Sequence, residues 1–301
     1  MSQLFMHLAL LVARGIAFLP WRMQCLIGAG FGQLCYYTLK RRRHVCLTNI
    51  KHCFPELDAA QQQVLVRKAF RANGIGIMEA LRSWFRDPKS LADKTRVEGL
   101  EYLQQAQARG RGVILLGGHY TTLDLAGSLT TLYFKADIMQ RDHANPVFNR
   151  FVRGSREKLY GTVLGKNDVR GLLRCLRQNH IVWYATDQDA GRQNSVFAPF
   201  FGIPAATLVS TMRLAKRSGA AVVPFSHFRL PGNQGYVLRM QPALEDFPTG
   251  DDLADAARLN HIIEENVRCF PEQYLWLHRR FKTPPERDVL NIYGQRRDAP
   301  G

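Results

Sequence analysis

The sequence predicts an α/β fold with a central, mostly parallel β-sheet flanked by helices and preceded by membrane-associated helices. First, short β-branched runs alternate with helical patterns beyond residue 57, which is typical of a sheet covered by helices. Second, 46% of the 301 residues are apolar, enough for a full core. Third, the first 39 residues consist mainly of two apolar runs. In such folds the chemistry lies beyond the carboxyl ends of the strands.

The charge balance favours a polyanionic partner. The chain has 41 Lys and Arg against 25 Asp and Glu, a net charge of +16. Nucleic acid, anionic lipid and phosphorylated substrates all fit that excess. The six cysteines form no C-x-x-C pair and have no metal-ligand spacing, so we expect free thiols in a reducing compartment and no metal site.

The N-terminal apolar runs predict membrane attachment. They extend over Leu4 to Leu19 and Met23 to Leu39, each slightly shorter than the roughly 20 residues that cross a bilayer upright. No basic residue precedes the first run and no A-x-A site ends it, so we expect no cleaved signal peptide. Gly28 and Gly32 form a G-x-x-x-G, a pattern that can mark close helix packing. The alternative is two buried helices of a soluble protein.

A basic cluster follows the second apolar run. Such a cluster is expected on the cytoplasmic side, beside anionic headgroups. We therefore predict an anionic-membrane partner and a cytoplasmic catalytic domain. The predicted boundary separates membrane-anchoring residues 1–57 from a catalytic domain at 58–301. The basic residues are Lys40, Arg41, Arg42 and Arg43.

The later part of the chain alternates predicted strands and helices. A long helical pattern over Leu57 to Phe85 comes first. Three β-branched runs are predicted as buried strands: Val113 to Leu116, Ile181 to Ala185 and Ala220 to Phe225. Further helical patterns cover Thr122 to Leu132, Asn145 to Leu159, Val169 to Arg177, Thr207 to Arg217 and Asp252 to Cys269.

One histidine lies where this fold predicts chemistry. His119 follows Gly117 and Gly118 at the end of a predicted strand, and Asp124 comes five residues later. Of the nine histidines, only His119 has an acidic residue at that spacing. A carboxylate that accepts one ring N–H leaves the other nitrogen free to remove a proton from an alcohol. We expect backbone N–H groups near Gly117 to Tyr120 to stabilise an oxyanion; the alternative is a structural histidine.

Five segments together resemble one enzyme family. They are KRRRHVCLTNIKHCFPEL (40–57), GGHYTTLDLAG (117–127), VWYATDQDAG (182–191), SVFAPFFGIPAAT (195–207) and PEQYLWLHRRFKTPPE (271–286). The chain resembles the late acyltransferases of lipid A biosynthesis, the lauroyl and myristoyl transferases. The resemblance covers nearly the whole chain, and several ordered motifs are more specific than any one of them.

The resemblance implies a glycerol-phosphate-acyltransferase-like fold and an acyl donor carried by acyl carrier protein. It implies an acceptor hydroxyl on the acyl groups of a phosphorylated glucosamine disaccharide, the lipid A precursor, and action at the inner membrane. No cofactor is expected. One departure is Asp124, because many late acyltransferases have Glu there and the glycerol-phosphate type has Asp. The implied functional positions are His119, Asp124, Arg156 and Asp187.

Several further residues are candidate ligands for substrate. Asp187 and Asp189 follow a predicted strand, where they could position sugar hydroxyls, brace an arginine, bind a metal or form a plain polar turn. The resemblance favours substrate or arginine positioning. Arg141 and Arg156 are candidate cations for phosphate or carboxylate.

The C-terminal segment from Tyr274 to Lys282 interleaves aromatic and basic residues. We predict that Arg279 and Arg280 contact headgroups or substrate phosphates. The alternative for this segment is a core strand with a basic edge. No helix-turn-helix, RNA-binding or zinc-finger pattern accompanies it, so nucleic acid is not an expected partner.

The residues and the resemblance together predict an acyl carrier protein-dependent acyltransferase acting on a lipid A precursor. Two alternatives stay open. One is an acyltransferase for another acceptor, such as a lysophospholipid, an aminolipid or a glycolipid. The other is a basic membrane-binding protein without catalysis, for which His119→Ala would have no effect.

Overall fold

The computed structural model describes residues 3–286 and 289–294, with side chains from Phe5 onward. Its centre is a seven-stranded sheet in the order β1-β9-β8-β2-β5-β3-β4, in which only the β8–β9 pair is antiparallel. The predicted α/β class with a mostly parallel sheet is confirmed. β6 and β7 form a separate antiparallel hairpin. The strands are β1 Thr95–Glu98, β2 Val113–Gly117, β3 Ala136–Gln140, β4 Val163–Gly165, β5 Ile181–Ala185, β6 Ser195–Phe200, β7 Ile203–Leu208, β8 Ala221–Leu230 and β9 Gly235–Met240.

Helices surround this sheet and form the N-terminal part of the chain. The first two lie at the predicted apolar runs and are separated by Pro20, which fixes the backbone between them. The basic cluster from Lys40 to Arg43 begins a third helix. The helices are α1 Gln3–Phe18, α2 Trp21–Thr38, α3 Lys40–Cys53, α4 Ala59–Phe85, α5 Leu100–Ala108, α6 Leu123–Thr130, α7 Pro146–Leu159, α8 Val169–Arg177, α9 Ser210–Ser218 and α10 Asp252–Cys269.

Helices α2 and α4 pack backbone against backbone at three glycines. A Cβ added to Gly32 would lie 2.2 Å from the carbonyl oxygen of Phe70, and one added to Gly74 would lie 2.1 Å from that of Gly28. No side chain fits at such distances. The G-x-x-x-G of α2 therefore marks close helix packing, with α4 as its partner.

A buried polar network ties the N-terminal helices to the sheet. The carboxylate of Glu79 on α4, 2% exposed, accepts hydrogen bonds from Arg229 Nη1 on β8 and Tyr236 OH on β9, both at 2.6 Å. The Trp21 indole N–H on α2 donates to the same Tyr236 hydroxyl at 2.9 Å. Because an unpaired buried charge is strongly unfavourable, this network fixes how α2 and α4 sit on the sheet.

The N-terminal 57 residues have both core and surface roles. Val45, Cys46 and Ile50 of α3 are buried in one cluster with Phe70 and Trp276, so this segment shares a core with the rest of the chain. Elsewhere in the segment large apolar side chains face outward. None of the described helices is long and apolar enough to span a bilayer. The outward-facing side chains are Phe5, Leu8, Leu11, Val12, Phe18, Met23, Leu26, Ile27, Phe31, Leu34, Tyr37 and Leu39.

Candidate active site

His119 lies in the turn between β2 and α6, at the carboxyl end of a strand in the middle of the sheet. The neighbouring strand β5 ends at Ala185, so Asp187 reaches the same edge. Asp187 makes two contacts with His119: Oδ2 accepts from the backbone N–H at 2.8 Å, and Oδ1 lies 2.6 Å from ring Nδ1. This double contact fixes both the backbone and the ring of His119.

The two groups shift each other's pKa. Burial raises the pKa of the fully buried Asp187 carboxyl, but His119 and the more distant Arg280 outweigh it and bring the pKa to about 2. Burial lowers the pKa of His119, whereas the charge and hydrogen bond of Asp187 raise it more, so the net shift is upward. An ionised Asp187 accepts from Nδ1–H and leaves Nε2 as the proton acceptor of a neutral ring.

Asp124 does not take the place predicted for it beside His119. Its Oδ1 accepts from Arg156 Nη2 at 2.8 Å, and Arg156 Nη1 donates to Gln140 Oε1 at 3.3 Å. The expectation that Asp124 accepts the ring N–H of His119 is thus corrected, because Asp187 occupies that position. Asp124 lies in the first turn of α6 and pairs with a cation of α7 instead. The structure does bring Asp124 and Arg156 together.

A cleft with a cavity volume of about 80 Å³ opens between the sheet and helices α6 and α7. Asp124 and Arg156 contribute its charged groups, and most of the wall is apolar. Trp183 connects the cleft to the histidine, since its ring packs edge-on against His119 with centroids 5.7 Å apart. Its mainly apolar wall suits a hydrocarbon chain. Its wall is formed by Leu115, Leu123, Asp124, Gly127, Thr130, Ala136, Ile138, Met139, Arg156, Tyr160, Trp183, Phe225 and His227.

Two polar groups of this wall are unusual. His227 is buried, and burial followed by the charge of His119 lowers its pKa to about 3, so its ring is neutral. Its Nδ1 contacts the Thr122 hydroxyl at 2.8 Å, and its Nε2 has no partner among the described residues. The Trp183 indole N–H is likewise buried and unpaired there. Unpaired buried donors and acceptors are rare in folded proteins and are often found at functional sites.

Two of the backbone N–H groups in the predicted oxyanion stretch from Gly117 to Tyr120 donate to acceptors within the protein. The N–H of His119 donates to Asp187, that of Tyr120 to the Gly118 carbonyl at 3.1 Å, and that of Thr121 to the Gln273 carbonyl at 2.7 Å. The N–H groups of His119 and Tyr120 therefore have acceptors within the protein, and an oxyanion site in the stretch from Gly117 to Tyr120 stays a prediction.

The segment from Tyr274 to Lys282 supports the site from inside the protein. It forms turns rather than a strand, and its Leu275 N–H donates to the His119 carbonyl at 3.1 Å. Arg280 is 2% exposed and donates to the Ala206 carbonyl at 2.7 Å and to Thr207 Oγ1 at 2.9 Å. The predicted headgroup contact of Arg280 is therefore wrong. These hydrogen bonds and the negative charge of Asp187 compensate the buried charge of Arg280. Arg279 beside it is half-buried.

The remaining candidates have different positions. Asp189 is buried and binds the chain of Thr283, accepting from its N–H at 2.8 Å and its hydroxyl at 2.9 Å, so its carboxylate has a structural task. Arg141 is exposed directly after β3. In the basic cluster, Lys40 and Arg41 are exposed, whereas the other two contact protein carbonyls: Arg42 donates to Leu277 at 3.1 Å and Arg43 to Tyr36 at 3.2 Å.

One group of side chains has the composition of a metal site, although the sequence spacing did not predict it. Asp137, Cys175 and His180 lie near the opposite, amino ends of β3 and β5, with ligand atoms within 4.8 Å of one another. Asp137 Oδ2 lies 2.7 Å from His180 Nδ1, and its Oδ1 accepts from the Thr162 N–H at 2.6 Å. These bonds account for the buried carboxylate without an ion.

Comparison with known proteins adds the family to this geometry. A profile of the bacterial lipid A biosynthesis acyltransferases matches residues 1–283. The lipid A biosynthesis lauroyltransferase of Escherichia coli (strain K12) is 36% identical over 269 residues, which cover 89% of this chain and 88% of that protein. The palmitoleoyltransferase of the same strain is 35% identical over 268 residues, 89% and 87% of the two chains. Its myristoyltransferase is 28% identical over 271 residues, 89% and 84%.

Proposed function

Since this chain belongs to the bacterial lipid A biosynthesis acyltransferases, and is a secondary acyltransferase of that pathway, we propose that His119 and Asp124 carry the transfer. The donor is an acyl chain on acyl carrier protein and the acceptor a hydroxyl of a lipid A precursor. The observation that carries the proposal is the paired His119 and Asp187 beside an apolar cleft. This arrangement supplies a base and an apolar surface against which an acyl chain packs.

His119 acts as the general base. Its Nε2 takes the proton of the acceptor hydroxyl while the oxygen attacks the thioester carbonyl, forming a new C–O bond. The tetrahedral intermediate then loses the carrier thiolate as the C–S bond breaks, and the imidazolium returns its proton to that thiolate. Asp187 holds the ring in the reactive tautomer and stabilises the imidazolium, as an orienting carboxylate does in other hydrolases and transferases.

Asp124 acts in the same centre through a different contact. Its pairing with Arg156 holds the guanidinium at the cleft, where a planar cation suits a carbonyl or phosphate oxygen of the substrate. In this proposal Asp187 orients the base and Asp124 positions the substrate side of the reaction.

The outward apolar side chains of α1 and α2 support attachment to a membrane. Helices with so many outward apolar side chains are energetically favoured where those side chains leave water. We place these helices at the cytoplasmic surface of the inner membrane, where both substrates of the proposed reaction can reach the site.

The test is a transfer assay with purified full-length chain, acyl carrier protein loaded with a fatty acid and a lipid A precursor lacking secondary chains. Mass spectrometry should find the precursor heavier by one acyl group. His119→Ala should abolish this gain, whereas His261→Ala should not, because His261 is an exposed side chain on α10. No transfer to the precursor, or transfer only to a lysophospholipid acceptor, would contradict the proposal. Full activity of His119→Ala would exclude the base.

A further inference from the structure

A basic groove lies between α1 and α7, on the surface away from the catalytic cleft. One part is a space of about 420 Å³ lined by cations and aromatic rings, among them Arg14, Trp84, Arg150, Phe151 and Lys158. A second space of about 470 Å³ continues along α1 and shares Arg150 and Phe151 with the first. No acidic side chain lines either space.

The three cations of this groove have no acidic partner. Within residues 3–286 and 289–294, no carboxylate lies at ion-pair distance from Arg14, Arg150 or Lys158. The acidic neighbour on α7, Glu157, already pairs with Arg153 at 2.9 Å. Three like charges around one concave space repel each other, and an anion that binds all three relieves that repulsion.

The groove borders the outward apolar surface of α1 and α2. Phe18, which lines it, belongs to the outward-facing apolar side chains of α1, and Leu11 and Val12 lie one to two turns earlier in the same helix. Aromatic rings next to cations at the edge of an apolar surface are the composition of a membrane interface, where rings lie at headgroup depth and cations meet phosphates. This continuity favours a ligand that belongs to the bilayer.

The groove and the catalytic cleft lie on opposite faces of α7. Gly154 and Lys158 line the groove, whereas Arg156, two positions from each, lines the cleft. At about 100° per residue, Arg156 points roughly 160–200° away from both. A ligand in the groove is therefore separated from His119 and the cleft by the body of a helix, so the groove is not part of the acyl-transfer site.

We propose that this groove binds the phosphate headgroup of an anionic glycerophospholipid of the bilayer. The phosphate lies among Arg14, Arg150 and Lys158, and the acyl chains lie in the hydrocarbon part of the bilayer beneath α1 and α2. Apolar contact alone is equally favourable for many orientations of the protein on the membrane surface. Binding of a headgroup in the groove selects one of these orientations. The cations supply preference for anionic lipid, and the apolar side chains supply attachment.

The experiment measures partitioning of purified full-length protein between buffer and two kinds of vesicle, phosphatidylcholine alone and phosphatidylcholine mixed with phosphatidylglycerol. The variant carries Arg150→Gln and Lys158→Gln. The matched control carries Arg174→Gln and Arg177→Gln, which remove the same charge from exposed positions of α8. A charge-keeping variant, Arg150→Lys with Lys158→Arg, checks that the groove tolerates substitution.

We expect the groove variant to lose roughly thirtyfold of its partition coefficient into the anionic vesicles and to keep its partition into phosphatidylcholine. The α8 control should change less than about twofold on both, and the charge-keeping variant should bind like the wild type. An equal loss in the α8 control would mean that only net charge matters and would overturn the groove. Unchanged partition of the groove variant, with a raised KM for a phosphorylated acceptor, would assign the groove to the acceptor and also overturn the proposal.

Discussion

The contact between Asp187 and His119 determines in which pH range the proposed base is active. The pKa of His119 lies above its usual 6.5 because the effect of Asp187 exceeds that of burial. The protonated pair therefore stabilises the folded state below pH 6.5, and this contribution is lost as the pH rises through the raised pKa. Catalysis needs the neutral ring, so activity appears over the same range in which that stabilisation is lost.

The Asp187→Asn variant tests this coupling. For the wild type we expect the acidic limb of kcat/KM against pH to lie above pH 6.5. Asp187→Asn removes the charge that raises the pKa of His119, whereas the burial that lowers this pKa remains. The acidic limb of the pH profile should therefore move to lower pH. The rate at the plateau should fall by about two to four orders of magnitude, as with other orienting carboxylates. Asp93→Asn, an exposed control, should change neither. An acidic limb that stays in place would show that Asp187 does not set the His119 pKa.

Substitutions at Asp124 test its separate role. Asp124→Asn leaves Arg156 without its charged partner, and we expect activity to fall by roughly two to four orders of magnitude with little change in folding. Asp124→Glu keeps the charge and should retain more activity than the Asn variant. Arg156→Gln should lower activity to a similar extent, and adding Asp124→Asn to it should cost little more, because these two side chains act as one pair. Near wild-type turnover of Asp124→Asn would remove Asp124 from the catalytic centre.

At this scale the sequence predicted residue identities better than partners. Spacing along the chain singled out His119 and Asp124. The partner of the His119 ring comes from the neighbouring strand, 68 residues later, and the order of strands in a sheet is not visible in local spacing. Arg280 was misassigned because an alternation of aromatic and basic residues has the same composition at a membrane surface and in a buried, hydrogen-bonded turn.

Among the secondary-structure elements, those with strong periodicity were predicted best. β5, α8 and α10 have the predicted bounds, and β2 extends one residue further. The strands β1, β3, β4, β6, β7 and β9 were missed, since they are short or contain polar or small residues that break an apolar run, such as the buried Asp137 in β3. The basic segment after residue 40 was not recognised as a helix, although its apolar face, with Val45 and Ile50, is buried.

The crossing of α2 and α4 gives a prediction with a control on the same helix. Gly32→Ala places a Cβ where the carbonyl of Phe70 lies, so the helices must separate, and we expect about 1–3 kcal/mol of destabilisation. Gly30 has nothing within 4 Å of its Cβ position, so Gly30→Ala should be neutral or should stabilise by up to about 1 kcal/mol. Thermal unfolding in detergent measures both. Equal effects of the two substitutions would contradict close packing at Gly32.

At the scale of the whole molecule, the N-terminal helices and the sheet form one connected structure. Close backbone contacts at glycines hold α2 on α4, and the hydrogen bonds of Glu79 hold both helices on β8 and β9. The turn after β2 that carries His119 is packed against the same α4, since a Cβ on Gly76 would lie 2.4 Å from the Thr121 carbonyl oxygen. The position of the candidate site relative to α2 is therefore determined by the fold rather than by a flexible linker.

The last prediction concerns attachment of the whole chain. We expect the wild type to sediment with membranes and to stay there through a high-salt wash, because salt screens charge attraction but not the burial of apolar side chains. Leu11→Glu with Leu26→Glu should move the protein to the soluble fraction. The two leucines, on α1 and α2, are more than 60% exposed, and burying each in the membrane contributes roughly 1.5–3 kcal/mol. The matched control, Val169→Glu with Leu253→Glu, adds the same charge at exposed apolar positions of α8 and α10 and should remain attached. Complete release of the wild type by salt would contradict apolar insertion and leave charge attraction as the whole of the attachment.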